Sequence, residues 1–128
     1  MRIGADYYPE HWEKERWKTD AEMMVKANIK VIRIGEFAWS LYEPEEGKYE
    51  FDWMDEALDF FGKYGIKVVM CTPSATPPKW MIDKYPDILQ NDIHGNPKLF
   101  GTRKHYCFNS ETYREKTKKL NTLIAKRY

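Results

Sequence analysis

Apolar and polar positions fall along this chain in two kinds of block, and the blocks take turns. Residues 1–8, MRIGADYY, open with a short β-type run. Residues 10–28, EHWEKERWKTDAEMMVKAN, then place Trp17, Ala21, Met24 and Val25 at helical spacing with charge on the other side. KVIRIG, residues 30–35, is a β-branched run closed by Gly35, which predicts a buried strand. The helical pattern returns over residues 52–65, DWMDEALDFFGKYG, through Met54, Leu58 and Phe61. Asp52 reads as its N-cap and Gly65 as its C-terminal stop. IKVVMC, residues 66–71, predicts a third strand, and Ser110 predicts the cap of a last helix with the stripe Tyr113, Leu120, Leu123 and Ile124.

Strand and helix alternating three times predict right-handed βαβ units around a parallel sheet, whose strands need cover on both faces. The 128 residues suffice for one domain with a sizeable core. Three strands do not close a barrel, and a (β/α)8 barrel takes about 250 residues. A small open α/β domain is the alternative, but it would leave the third strand as an uncovered parallel edge. The expected architecture is therefore α/β, the N-terminal portion (about three βα units) of a (β/α)8 barrel. In either architecture ligands bind at the carboxyl ends of the strands. Those ends carry residues 6–12, 35–47 and 72–80 and the long excursion 92–109. Loops of this length, rich in aromatic and carboxylate residues, point to function at that end.

Composition narrows the choice of ligand. Lys and Arg number 21 against 20 Asp and Glu, a net charge of +1, so no basic excess exists to draw in a nucleic acid. Five Trp, nine Tyr and six Phe suit either a heavy core or a site that stacks on flat apolar faces. No apolar run approaches a membrane span, and the N-terminus has no signal-peptide pattern. With two cysteines, Cys71 and Cys107, the expectation is a soluble cytoplasmic protein with free thiols. Neither GxGxxG nor GxxxxGK[ST] occurs, which leaves nucleotide binding without support.

Carbohydrate sites combine aromatic platforms for the C–H faces of a sugar with polar groups for its hydroxyls. Tyr7, Tyr8, Trp12, Phe37, Trp39 and Trp80 fall on or beside the ligand-facing loops, where each either meets a sugar or is buried between strand end and helix. Glycoside hydrolysis uses two carboxylates, and Glu10, Glu36 and Glu43 lie at strand ends. Glu36 reads more readily as a partner for Arg33 than as half of that pair. Cys107 and His105 lack the paired ligands of a zinc site, and Cys71 reads as a small buried hydrophobe.

Four motifs in order, GADYYPEHW (4–12), VIRIGEFAWSLYEPEEGKYEFDWMDEAL (31–58), CTPSATPPKW (71–80) and GTRKHYCFNS (101–110), resemble the N-terminus of the glycoside hydrolase family 42 β-galactosidases. The resemblance runs from Met1 to Tyr128 and implies hydrolysis of terminal β-D-galactosides with retention of configuration in a (β/α)8 barrel. It implies that Arg103 hydrogen-bonds the galactose in the deepest subsite. It also implies that Cys107 is the first of four cysteines that hold a structural zinc in some members, the other three lying beyond Tyr128. No other cofactor is implied. The family's acid/base glutamate follows an asparagine at the end of strand 4, and its nucleophile is a glutamate at strand 7. Neither position occurs among residues 1–128, and KRY (126–128) resembles the end of the helix before strand 4. Residues 1–128 are thus expected to be an incomplete, by themselves inactive, N-terminal part of the catalytic domain. The implied partners are a galactoside substrate and, in the full-length enzyme, further copies of itself, with no nucleic acid or membrane. The alternatives are a non-catalytic α/β module with a sugar-binding or scaffold role, and the related β-fucosidase or α-L-arabinopyranosidase activities.

Overall fold

In the computed structural model, which describes residues 3–102 and 104–128, the three apolar runs form one parallel sheet in the order β1-β2-β3. The strands are β1 (Ile3–Asp6), β2 (Ile29–Ile34) and β3 (Lys67–Met70). Ala5 lies opposite Ile32 and Asp6 opposite Arg33, while Ile32 faces Val68 and Ile34 faces Met70. The period of two therefore sorts the sheet into two unlike faces. Ala5, Ile32, Ile34, Val68 and Met70 share one, and Gly4, Asp6, Val31, Arg33, Lys67 and Val69 share the other.

The helices α1 (Lys14–Lys26) and α3 (Asp52–Lys63) contact β2 and β3 respectively. Trp17, Ala21 and Met24 of α1 and Met54, Ala57 and Phe61 of α3 are buried with Ile32 and Ile34 in one core. Phe61 is the hub: Tyr7 meets it edge-on at 5.1 Å, and Trp17 lies at 6.1 Å. Burying one such ring stabilises the fold by about 1.5–3 kcal/mol. Val25, expected in the stripe, is instead 42% exposed, because α1 turns only a narrow face to the sheet.

The end of α3 follows from Gly65, whose φ of +70° lets the chain reverse. The Gly65 N–H donates to Gly62 and the Ile66 N–H to Phe61, the paired bonds of a Schellman ending. The start of α3 departs from expectation. Phe51 occupies the cap position without a side-chain cap bond, and Asp52 is the first helical residue, where its charge favours the helix N-terminus. Ser110 caps α5 (Glu111–Arg127) as expected, accepting from the Tyr113 N–H at 3.2 Å. Two short helices, α2 (Trp39–Tyr42) and α4 (Lys79–Lys84), lie within the strand-to-helix connections.

Among the described residues no helix covers the second sheet face, contrary to the expectation of cover on both sides. Val69 is 51% exposed there, and the accessible surface totals 8300 Å². A globular monomer of 15.4 kDa has about 7,200 Å². The excess is that of a sheet with an uncovered face and two unpaired edges. No described helix is long and apolar enough to cross a membrane.

Candidate active-site segment

The carboxyl ends of the strands bring residues 6–12, 35–43, 71–80, 100–102 and 104–106 to one end of the sheet. Arg33, on the uncovered face of β2, is the electrostatic centre of that end. Its Nε donates to Asp6 Oδ1 at 2.7 Å and its Nη2 to Glu36 Oε2 at 2.5 Å, while Nη1 lies 3.7 Å from the Cys71 sulfur. The guanidinium bond holds the Asp6 carboxyl below its ordinary range. Burial pushes the Cys71 thiol up, against the opposing pull of Arg33. Glu36 is thus the partner of Arg33. Gly35 makes the turn between them, with a φ of +82°, and a Cβ there would sit 3.2 Å from the Tyr42 hydroxyl and 3.3 Å from the Met54 methyl.

The other two carboxylates serve different ends. Glu43 is 2% exposed and accepts from Trp39 Nε1 at 3.0 Å and from the Gly47 N–H at 2.9 Å, so it orders the connection after α2. Glu10 is half-buried, and neither of its carboxylate oxygens has a partner among the described residues. Burial raises its pKa.

The aromatic candidates divide the same way. Tyr7 and Trp39 are core residues, and the Tyr7 hydroxyl donates to Asp20 at 2.9 Å. Burial and then Asp20 hold that phenol far above its usual range. Trp80 is half-buried, its Nε1 donating to the Glu43 carbonyl at 2.8 Å. Trp12 lies beneath the Arg16 guanidinium, 4.8 Å from the ring centre, in a different groove. Only Tyr8 and Phe37 remain at the strand ends as an open pair, stacked at 5.9 Å.

Beside them is a cleft of about 480 Å³, lined by Glu36, Phe37, Ser40, Thr76, Pro77, Lys79, Phe100, Thr102, Lys104 and His105 among others. Its far wall comes from the excursion after α4. Asp92 closes the tip by accepting from the His94 and Asn96 N–H groups at 2.8 and 2.9 Å, which lowers its pKa. The base is tied by Gln90 N–H to His105 O and Cys107 N–H to Ile88 O, both 2.7 Å. His105, which the sequence left without a role, is 4% exposed in this wall. Its Nδ1 lies 2.8 Å from the Thr102 carbonyl, which can only accept, so Nδ1 carries the proton. Arg103 lies outside the described residues. Cys107 is a half-buried free thiol, and no group of three or more His, Cys, Asp or Glu side chains among the described residues could hold a metal. The zinc site that the resemblance implies therefore does not fit these residues by themselves.

The place of Arg33 on the uncovered face had a readable signal: it alternates with Ile32 and Ile34 on a strand, so it must face away from the helices. The depth of His105 had none, since nothing periodic surrounds it.

A parallel sheet with helices on one face, and a polar and aromatic site at its carboxyl ends, define an α/β protein of the barrel class. The family model of the β-galactosidases of glycoside hydrolase family 42 matches residues 6–128, and the chain belongs to that family. It is 54% identical over 126 residues to a β-galactosidase of Thermus thermophilus, covering 98% of this chain and 20% of that protein. It is 48% identical over 128 residues to one from Haloferax lucentense, covering 100% of this chain and 19% of the relative. Its fold superposes on the solved β-galactosidase of Halorubrum lacusprofundi with a TM-score of 0.95 at 45% identity, covering 100% of this chain and 19% of that one. With the enzyme from Rahnella sp. R3 the TM-score is 0.96 at 44% identity, again over 100% of this chain and 19% of the other. The chain thus spans about a fifth of the length of the relatives it matches.

Proposed function

We propose that residues 1–128 form the first part of the catalytic barrel of a retaining β-galactosidase, the part that binds and orients the sugar. The observation that carries this reading is the Arg33–Asp6–Glu36 network on the uncovered face, at the end where barrel enzymes hold their substrates. A retaining glycosidase sets two carboxyl groups about 5–5.5 Å apart, one attacking the anomeric carbon while the other protonates the leaving oxygen, then activates water. Glu36 and Glu43 are engaged elsewhere, and Glu10 lines no part of the cleft. Both reacting carboxylates accordingly come from outside these residues. Arg103 supplies the rigid donor fork that two neighbouring galactose oxygens require. Cys107 would give one of four thiolates to a structural zinc, whose role is to hold loops and not to react. The same reading carries a cytoplasmic location and self-association of the full-length enzyme.

The test is turnover by the longer protein that carries this segment, on β-galactosides, β-fucosides and α-L-arabinopyranosides, with the first-formed anomer read by NMR. Preferential release of β-galactose supports the proposal. Release of α-galactose, or no turnover of any of the three, refutes it.

A further inference from the structure

We infer that His105 is a positioning residue, whose imidazole holds the turn that presents Arg103 to the sugar. The inference rests on the galactosidase reading and on the role given there to Arg103. It adds what fixes the backbone on either side of that arginine.

His105 is 4% exposed, and its Nε2 is closed to solvent with no partner among the described residues. A ring enclosed in this way serves by the bond it makes inside the protein. That bond runs from Nδ1 to the Thr102 carbonyl at 2.8 Å, reaching back across positions 103 and 104. Phe100 and Tyr106 stand edge-on to the ring at 5.6 and 5.9 Å and set its plane.

The turn needs such a tie. Gly101 and Lys104 both have positive φ, +87° and +56°. For a lysine this left-handed backbone is unfavourable, and it persists only where the surroundings impose it. Before position 103, the Thr102 N–H and hydroxyl both donate to the Leu99 carbonyl, at 3.2 and 2.7 Å. After it, the His105 carbonyl accepts from the Gln90 N–H, and the Cys107 N–H donates to the carbonyl of Ile88, a core residue. The imidazole joins these two sets of bonds, so Thr102 is held through His105 to the core. A guanidinium gripping two neighbouring oxygens must be aimed, and a displacement of about 1 Å can cost up to about a hundredfold in rate. Fixing the backbone on both sides removes that freedom.

The experiment uses the longer enzyme carrying this segment, read by kcat/KM on a nitrophenyl β-galactoside and by melting temperature. His105→Phe keeps the packed ring and loses the Nδ1–H donor. His105→Asn loses the ring but sets an amide N–H where Nδ1 stood. A packing role ranks the Phe variant above the Asn variant in both readouts. The positioning role splits them: His105→Phe melts higher, yet loses about tenfold in kcat/KM, while His105→Asn stays within about threefold of wild type. In an Arg103→Ala background, His105→Phe should cost less than about twofold more, because its effect runs through the arginine. Activities that follow the melting temperatures, a tenfold loss that persists without the arginine, or no loss at all would each overturn the inference. If Arg103→Ala leaves kcat/KM intact, the role given to Arg103 fails and takes the inference with it. If the wild type turns over no galactoside, the galactosidase reading itself fails first.

Discussion

The two faces of the β1-β2-β3 sheet are built from alternate residues of the same strands, yet they do different things. The helix-covered face holds Ile32 and Ile34, at 0% and 1% exposure, against Phe61 and Trp17. The uncovered face holds Arg33, Asp6, Lys67 and the half-exposed Val69. Apolar contact is non-directional and secures the fold, whereas Arg33 and Asp6 are tied to each other by bonds of fixed direction. Stability and the proposed orientation of substrate are thus separated by a single residue's step along β2, and each can be tested alone.

The largest effect belongs to the chemistry. The isolated 128-residue chain should show no turnover of a nitrophenyl β-galactoside, a loss of more than about six orders of magnitude against the longer enzyme. Next is the covered face: in the longer enzyme Phe61→Ala should cost about 3–5 kcal/mol in thermal or denaturant unfolding. A cost below about 1 kcal/mol would mean that Phe61 is not the hub of the core.

On the functional side, Arg103→Lys in the longer enzyme should lower kcat/KM on galactosides by roughly one to two orders of magnitude, since a lysine offers a point charge in place of a fork. Its melting temperature should stay near that of wild type. A lowered melting temperature with intact kcat/KM would make Arg103 a loop-ordering residue.

Glu10 gives a smaller effect with a definite sign. Burial raises its folded-state pKa, so the folded chain binds that proton more tightly than the unfolded one. Its contribution is fully favourable below about pH 4.5 and is lost as pH rises through the raised value. Glu10→Gln should therefore raise the melting temperature by a few degrees at pH 7–8 and by little at pH 4. An equal gain at both pH values would assign the effect to packing.

Glu46 shows the opposite sign and the smallest effect. Its bonds from Lys116, Lys84 and the Tyr85 hydroxyl hold its pKa at about 2. That stability is present above the ordinary carboxylate pKa and fades as pH falls toward 2. Glu46→Gln should lower the melting temperature by about 1–2 °C at neutral pH, less in high salt. A salt-independent loss would contradict an electrostatic origin.

The same contrast explains what was legible in the sequence. Periodicity reports burial, so α1, α3, α5 and the three strands stand out, and Ser110 and Gly65 mark ends because local backbone chemistry decides them. In the loops no period exists. Phe37 and Trp39 are two residues apart, and nothing local tells that Trp39 is buried on Glu43 while Phe37 opens to the cleft. The helices α2 and α4 are too short to show a stripe. Asp52 missed its cap position by one residue, since an acidic side chain favours both the cap and the first turn. The roles given to Arg103 and Cys107 came from the resemblance alone.

In the proposed function residues 1–128 orient the sugar while the reacting carboxylates lie elsewhere. Trapping the glycosyl-enzyme of the longer protein with a 2-fluoro-galactosyl fluoride, followed by peptide mass mapping, tests it directly. The label should fall on a glutamate outside residues 1–128. A label on Glu10, Glu36 or Glu43 would contradict the account.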